Sequence, residues 1–120
     1  MLPADSRMRR SAEFELTVRR GSRTGGALLT GYLLVREDGA AQDPLVGFVV
    51  SKAVGNAVVR NKVRRRLRSV MRGYLPALPG GSLLVVRAHP QAATARQADL
   101  AAELDLVMST LKRRQVGALG

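Results

Sequence analysis

Two kinds of side chain could carry chemistry in this chain, and only one is present in strength. Imidazoles and carboxylates, the groups of acid–base and metal catalysis, are sparse. His89 is the sole histidine, and it stands before Pro90 at the end of an apolar run, which reads as a structural loop position. Among the nine acids, Asp99, Glu103 and Asp105 lie close in sequence, but the Asp99/Glu103 spacing suits the solvated face of a helix better than a metal site. Cysteine is absent, so neither disulfides nor thiolate zinc sites can form. Guanidinium is abundant: seventeen of the twenty basic residues are Arg, whose planar fork grips phosphate in a bidentate way that ammonium cannot. The chemistry on offer is anion recognition.

Those cations are concentrated. Gly55 to Arg72, GNAVVRNKVRRRLRSVMR, holds seven Lys and Arg and no acid. If Asn56 caps a helix, Arg60, Asn61, Arg64, Arg65, Arg68 and Arg72 share one face, and Val59, Val63, Leu67 and Val70 share another. A strand could not achieve this, because period 2 sends Arg64 and Arg65 to opposite sides. The ordinary reading of a helical charge run is a solvated face, yet such faces mix signs, and here Arg60/Arg64, Arg64/Arg68 and Arg68/Arg72 repel at i,i+4. An anionic partner relieves that repulsion.

The elements that must position this helix follow from pattern. At 120 residues and 46% apolar content the chain fits one domain, residues 1–120, with 1–10 as an extended basic arm (Arg7, Arg9, Arg10) and 115–120 as a disordered tail. Ser11 is placed as the N-cap of a helix to Arg20, with Phe14 and Val18 on its apolar side, and Ser22 to Gly26 as loop. Two strands, 27–36 and 45–51, flank a turn at 37–44 and are expected to pair as an antiparallel hairpin with the second at the sheet centre. A third strand spans Ser82 to Ala88, and a Thr94/Gln97 capping box opens a last helix to about Arg114. The result is an α/β sandwich of helices on a mixed sheet.

Net charge of +11 and pI near 11.6 concern partners, and the whole stretch from Pro44 to Ala98 lacks Asp and Glu. No apolar run approaches the ~20 residues of a membrane span, and Arg7, Arg9 and Arg10 are not followed by the apolar core of a signal peptide. A soluble, cytoplasmic protein is expected. Two Phe, two Tyr and no Trp are too few for a base-stacking sheet, and the basic helix lies between strands rather than after a short helix, which disfavours a helix-turn-helix. Phe14 and Tyr32 fit either a core or a groove.

The string Ser51-Lys52, Gly55-Asn56-Ala57, Arg60-Asn61-Lys62, Arg64-Arg65, Arg68 closely resembles the signature of the bacterial ribonuclease P protein component. Arg7, Arg9-Arg10, Ser11, Glu13-Phe14 and Arg20-Gly21 are similar to that family's start, and the likeness reaches the last helix. The resemblance implies a compact α-β-β-(β)-α-β-α two-layer fold with a fourth strand and a left-handed β-α-β crossover. It also implies a protein subunit that binds a large catalytic RNA and the 5′ leader of precursor tRNA. The leader is removed by hydrolysis that the RNA carries out with Mg²⁺; no organic cofactor, protein metal site or membrane is implied. By position, RNA contacts fall on Lys52, Asn56, Arg60, Asn61, Lys62, Arg64, Arg65, Arg68 and Arg72 and on the basic arm, and a leader cleft on Phe14, Val18 and Tyr32. Lys62 replaces a common Arg and Val18 a common aromatic. A generic RNA-binding or ribosome-associated protein is the alternative, and a basic helix for an acidic membrane or protein is the third reading.

Overall fold

The computed structural model describes residues 6–37 and 42–119. Its elements are α1 (Ser11–Arg20), β1 (Ser22–Gly25), β2 (Leu29–Val35), β3 (Leu45–Val49), α2 (Ala57–Met71), β4 (Ser82–Ala88) and α3 (Gln97–Leu119), with 3₁₀ turns at Arg72–Ala77 and Pro90–Ala93. The strands form one mixed sheet in the order β1-β2-β4-β3. The sheet and the α2/α3 layer enclose the larger core, in which Leu29, Leu33, Val46, Leu84 and Val86 meet Val63, Leu67, Met71, Leu104 and Leu111. On the opposite face α1 covers a smaller cluster of Met8, Tyr32, Leu83 and Val85.

β4 takes the centre because its Leu83-Leu84-Val85-Val86 run is apolar toward both faces and all four residues are fully buried. It pairs antiparallel with β2 and parallel with β3. The expected β2/β3 hairpin therefore does not form, and β3 is an outer strand. A parallel pair cannot be closed by a tight turn, so β3, α2 and β4 make a β-α-β crossover, with α2 as its helix. Ser22 to Gly25, expected as loop, is instead the fourth strand, paired to β2 with Arg23 opposite Tyr32. Of its Ser-Arg-Thr-Gly sequence only Thr24 favours a strand, and pairing with a neighbour supplies what propensity lacks.

Local corrections follow the same logic. Arg10, not Ser11, occupies the N-cap of α1, without a side-chain cap; its carbonyl accepts from Glu13 N at 3.0 Å. Gln97 does not reach back to Thr94, because its Nε2 donates to the Arg66 carbonyl at 3.2 Å and so ties α3 to α2. α3 runs to Leu119 rather than stopping at Arg114: no Pro stands between Gln115 and Leu119, and Gly117 costs only about 1 kcal/mol relative to Ala, so the tail expected at 115–120 is helical up to that point. Part of the arm is docked: Arg7 bridges Val46 on the outer edge of β3, Met8 N donates to Val46 O at 2.8 Å, and Met8 is buried. An exposed strand edge offers unpaired backbone groups, and this segment uses them. Residues 1–5 of the arm and Asp38 and Gly39 of the expected turn lie outside the described residues.

Tyr74, after α2, donates its hydroxyl to Asp105 Oδ1 at 2.7 Å. Burial, then this hydrogen bond, pushes the phenol up to about 12. Glu103 Oε2 accepts from Leu28 N at 2.8 Å and from Leu29 N, fixing the turn between β1 and β2. Two of the three acids on α3 thus hold the fold together.

Both layers approach the sheet over glycine. A Cβ at Gly31 would stand 2.5 Å from Val107 Cγ1 and 3.2 Å from Leu111 Cδ1, and one at Gly47 would collide with the Phe14 ring. Gly31→Val and Gly47→Val are each expected to lower the unfolding free energy by about 1–3 kcal/mol through overpacking, measured by chemical denaturation.

Candidate nucleic-acid interface

Helix α2 begins where Asn56 Oδ1 accepts from Val59 N at 3.0 Å, so this motif residue is a structural cap. Val63, Leu67 and Met71 are buried in the core, and Val59 and Val70 pack against it. The apolar stripe is thereby used in folding. On the other side Asn61, Lys62, Arg65 and Arg72 are exposed, while Arg60, Arg64 and Arg68 are half-buried. Asn61, Arg64, Arg65 and Arg68 line a hollow of about 460 Å³. Arg66 is set apart: its Nη1 donates to the Ala95 carbonyl at 3.1 Å and braces the entrance to α3.

The half-buried arginines are short of partners. The Nε atoms of Arg7, Arg60 and Arg68 are out of contact with solvent and lack hydrogen bonds. The Arg68 guanidinium is held below its ordinary pKa by burial first, then by Arg7 and by Arg64. Docking of the arm on β3 is what brings Arg7 to this cluster. Arg64 donates weakly to the Val50 carbonyl at 3.5 Å, which places the end of β3 beneath the rail. Like charges held this close fit an anion that bridges them.

A second feature opens on the other face of the sheet. Phe14, Glu15, Val18 and Arg19 of α1 and Val49 and Arg87 of the sheet line a groove of about 450 Å³. The Phe14 ring lies over Gly47, where the missing side chain lets it sit close to the sheet. An aromatic edge, aliphatic walls and flanking guanidiniums suit a single strand whose bases stack and whose phosphates meet Arg. Tyr32 does not line this groove. It is 5% exposed in the small core under α1, with the Arg87 guanidinium 6.0 Å from its ring centroid. The groove and the rail meet at the end of β3, where Val49 lines the first and the backbone carbonyl of the next residue, Val50, accepts from Arg64 of the second.

The family model described as Ribonuclease P matches residues 2–112. The chain belongs to the ribonuclease P protein family. It is 52% identical over 105 residues to the ribonuclease P protein component of a Nocardioides species, covering 88% of this chain and 90% of that one. With the corresponding component of Thermobifida fusca it shares 49% over 118 residues, covering 94% and 80%. Among solved structures, the Staphylococcus aureus RNase P protein superposes with a TM-score of 0.77 at 23% identity, over 88% of this chain and 94% of that one. The RNase P protein of Thermotoga maritima gives 0.71 at 22%, over 89% and 96%. At those identities the two structures speak for the fold alone.

Against the residues expected from sequence, this ribonuclease P protein brings Arg60, Asn61, Arg64, Arg65 and Arg68 onto one face and adds Arg7 to them. Lys52 is exposed in the turn before α2. Arg9 and Arg10 are exposed and share a separate hollow with Arg7, Glu13, Arg36 and Asp43. Phe14 and Val18 line the groove; Val49, Arg19 and Arg87 were missed. Arg87 had a legible signal, as the one charge in a mostly apolar strand, but its direction depends on register. Among the described residues no group of three or more His, Asp or Glu is placed to hold a metal ion.

The crowding at Arg68 generates a prediction. Arg68→Met keeps the aliphatic stem and removes the charge, so at low salt the free protein is expected to melt about 1–2 °C higher, a few tenths of a kcal/mol of relieved repulsion. The same variant should bind RNA about 1–3 kcal/mol more weakly in a filter or fluorescence assay.

Proposed function

We propose that the α2 rail, with Arg7, binds the RNA subunit of ribonuclease P, and that the α1 groove takes the single-stranded 5′ leader of precursor tRNA. The observation that carries this reading is the Arg68 guanidinium set against those of Arg7 and Arg64, with the Nε atoms of Arg7, Arg60 and Arg68 unpartnered, in a member of this family. A surface built to remain free would mix acids into that face; this one has none from Pro44 to Ala98. Hydrolysis is assigned to the RNA, with Mg²⁺ held there. Among the protein's described residues no cluster of carboxylates is placed to hold a metal ion, and His89 and Asp105 are hydrogen-bonded to Thr30 and Tyr74. The protein's own work is to neutralise phosphate and to fix the leader beside the RNA. The site of that work is the cytoplasm.

Reconstitution tests the division of labour. Protein freed of RNA is expected to leave precursor tRNA intact at every Mg²⁺ concentration, and to stimulate leader removal when added to the RNA subunit at low Mg²⁺. Cleavage by the RNA-free protein overturns the assignment of chemistry to RNA. Affinity for RNA should fall steeply with salt, at roughly 0.7–0.9 of log–log slope per neutralised phosphate, whereas a flat response would point to an apolar interface.

A further inference from the structure

The row of residues that begins in the groove continues past it. Register sets Val49 beside Arg87, Arg87 beside Thr30, and Thr30 beside Gly25, one line across all four strands on the α1 face. Val49 and Arg87 line the groove. The other end of the line opens into a separate hollow of about 530 Å³, walled by Arg23, Thr30, His89, Arg114 and the Gly25-Gly26 turn.

This hollow is made of hydrogen-bond donors. Thr30 is 3% exposed, and its Oγ1 lies 2.7 Å from His89 Nε2. Either arrangement of that bond leaves one proton over: if the hydroxyl donates to Nε2, the ring keeps Nδ1–H, and if Nε2 donates, the hydroxyl hydrogen is released. Arg114 donates to the Arg23 carbonyl, which anchors α3 to β1 and occupies only one of the guanidinium's several donors. The nearby carboxylate, Glu103, is already engaged by the Leu28 and Leu29 amides, so the two arginines are not matched by acid within the hollow. Gly25 keeps the floor open, because a Cβ there would stand 2.6 Å from Thr30 Oγ1. Phe14 belongs to the groove, and no aromatic carbocycle lines this hollow. Its chemistry is that of phosphate rather than of a stacked base.

We infer that Arg23, His89, Thr30 and Arg114 form a phosphodiester subsite for the same single strand after it leaves the groove. This rests on the leader reading above. Three strand spacings of ~4.8 Å separate Val49 from Gly25, so the subsite lies about 14 Å along, or about four nucleotides at a stacked rise of ~3.4 Å. Leader length should therefore matter beyond what the groove alone can hold.

The test measures affinity of the assembled RNA–protein complex for precursor tRNAs with progressively shortened leaders, using wild type, Arg23→Gln, His89→Gln and Phe14→Ala. The two subsite variants are expected to lose about five- to tenfold in affinity with a long leader and nothing once the leader ends within the groove. A neutral methylphosphonate at one linkage of the distal stretch should abolish their difference from wild type. Arg23 is exposed, so Arg23→Gln keeps the test valid if His89→Gln disturbs folding, with thermal melts as the check. Equal losses at every leader length, or no loss at any, overturn the subsite. If Phe14→Ala remains leader-dependent in that case, only the subsite falls; if it too ignores the leader, the groove assignment falls with it.

Discussion

The structure depends on a contest between apolar burial and like-charge repulsion along a single helix. Val63, Leu67 and Met71 anchor α2 to the sheet, each worth about 1.5–3 kcal/mol on burial. The opposing Arg60/Arg64 and Arg64/Arg68 pairs cost a few tenths of a kcal/mol apiece. Burial wins by several-fold. The helix can therefore carry a face of unneutralised arginine without losing its place in the fold. The surplus charge stays available to a partner, and the lowered pKa of Arg68, due first to burial and then to Arg7 and Arg64, is the residue of that contest.

The position of β3 turns one charged face into an organised surface. As an outer strand it offers backbone to the N-terminal segment, which is how Arg7 arrives next to Arg68 although sixty-one positions separate them in sequence. Val49 of the same strand lines the groove, and the carbonyl of Val50, just past the strand's end, accepts from Arg64. In the proposed complex the catalytic RNA and the leader meet the protein on either side of one short strand, so the leader's position is tied mechanically to that of the RNA.

Much of this was legible because it is periodic or compositional. The rail, its apolar counterface, the Asn56 cap and the α1, α2 and β4 spans follow from spacing along a single element. The motif that marks the ribonuclease P family lies almost wholly in one contiguous stretch for the same reason. Phe14 and Val18, assigned to a leader cleft by the resemblance, both line the hollow between α1 and the sheet. Tyr32 was a groove candidate of the same kind, but an alternating strand residue can face either layer, and α1 covers the side to which it points.

What sequence alone determined is the chemistry on offer: phosphate-gripping cations in excess, few groups able to catalyse, and a helix obliged by its own periodicity to separate the cations from the core. What only the tertiary structure decided is adjacency. The insertion of β4 between β2 and β3, the strand at Ser22–Gly25, the docking of Arg7, and the alignment of Arg87 with Thr30 all depend on pairing between segments distant in the chain. Local propensity carries no information about such pairing, since backbone hydrogen bonds are the same for any partner and register is settled by which side chains fill the core together.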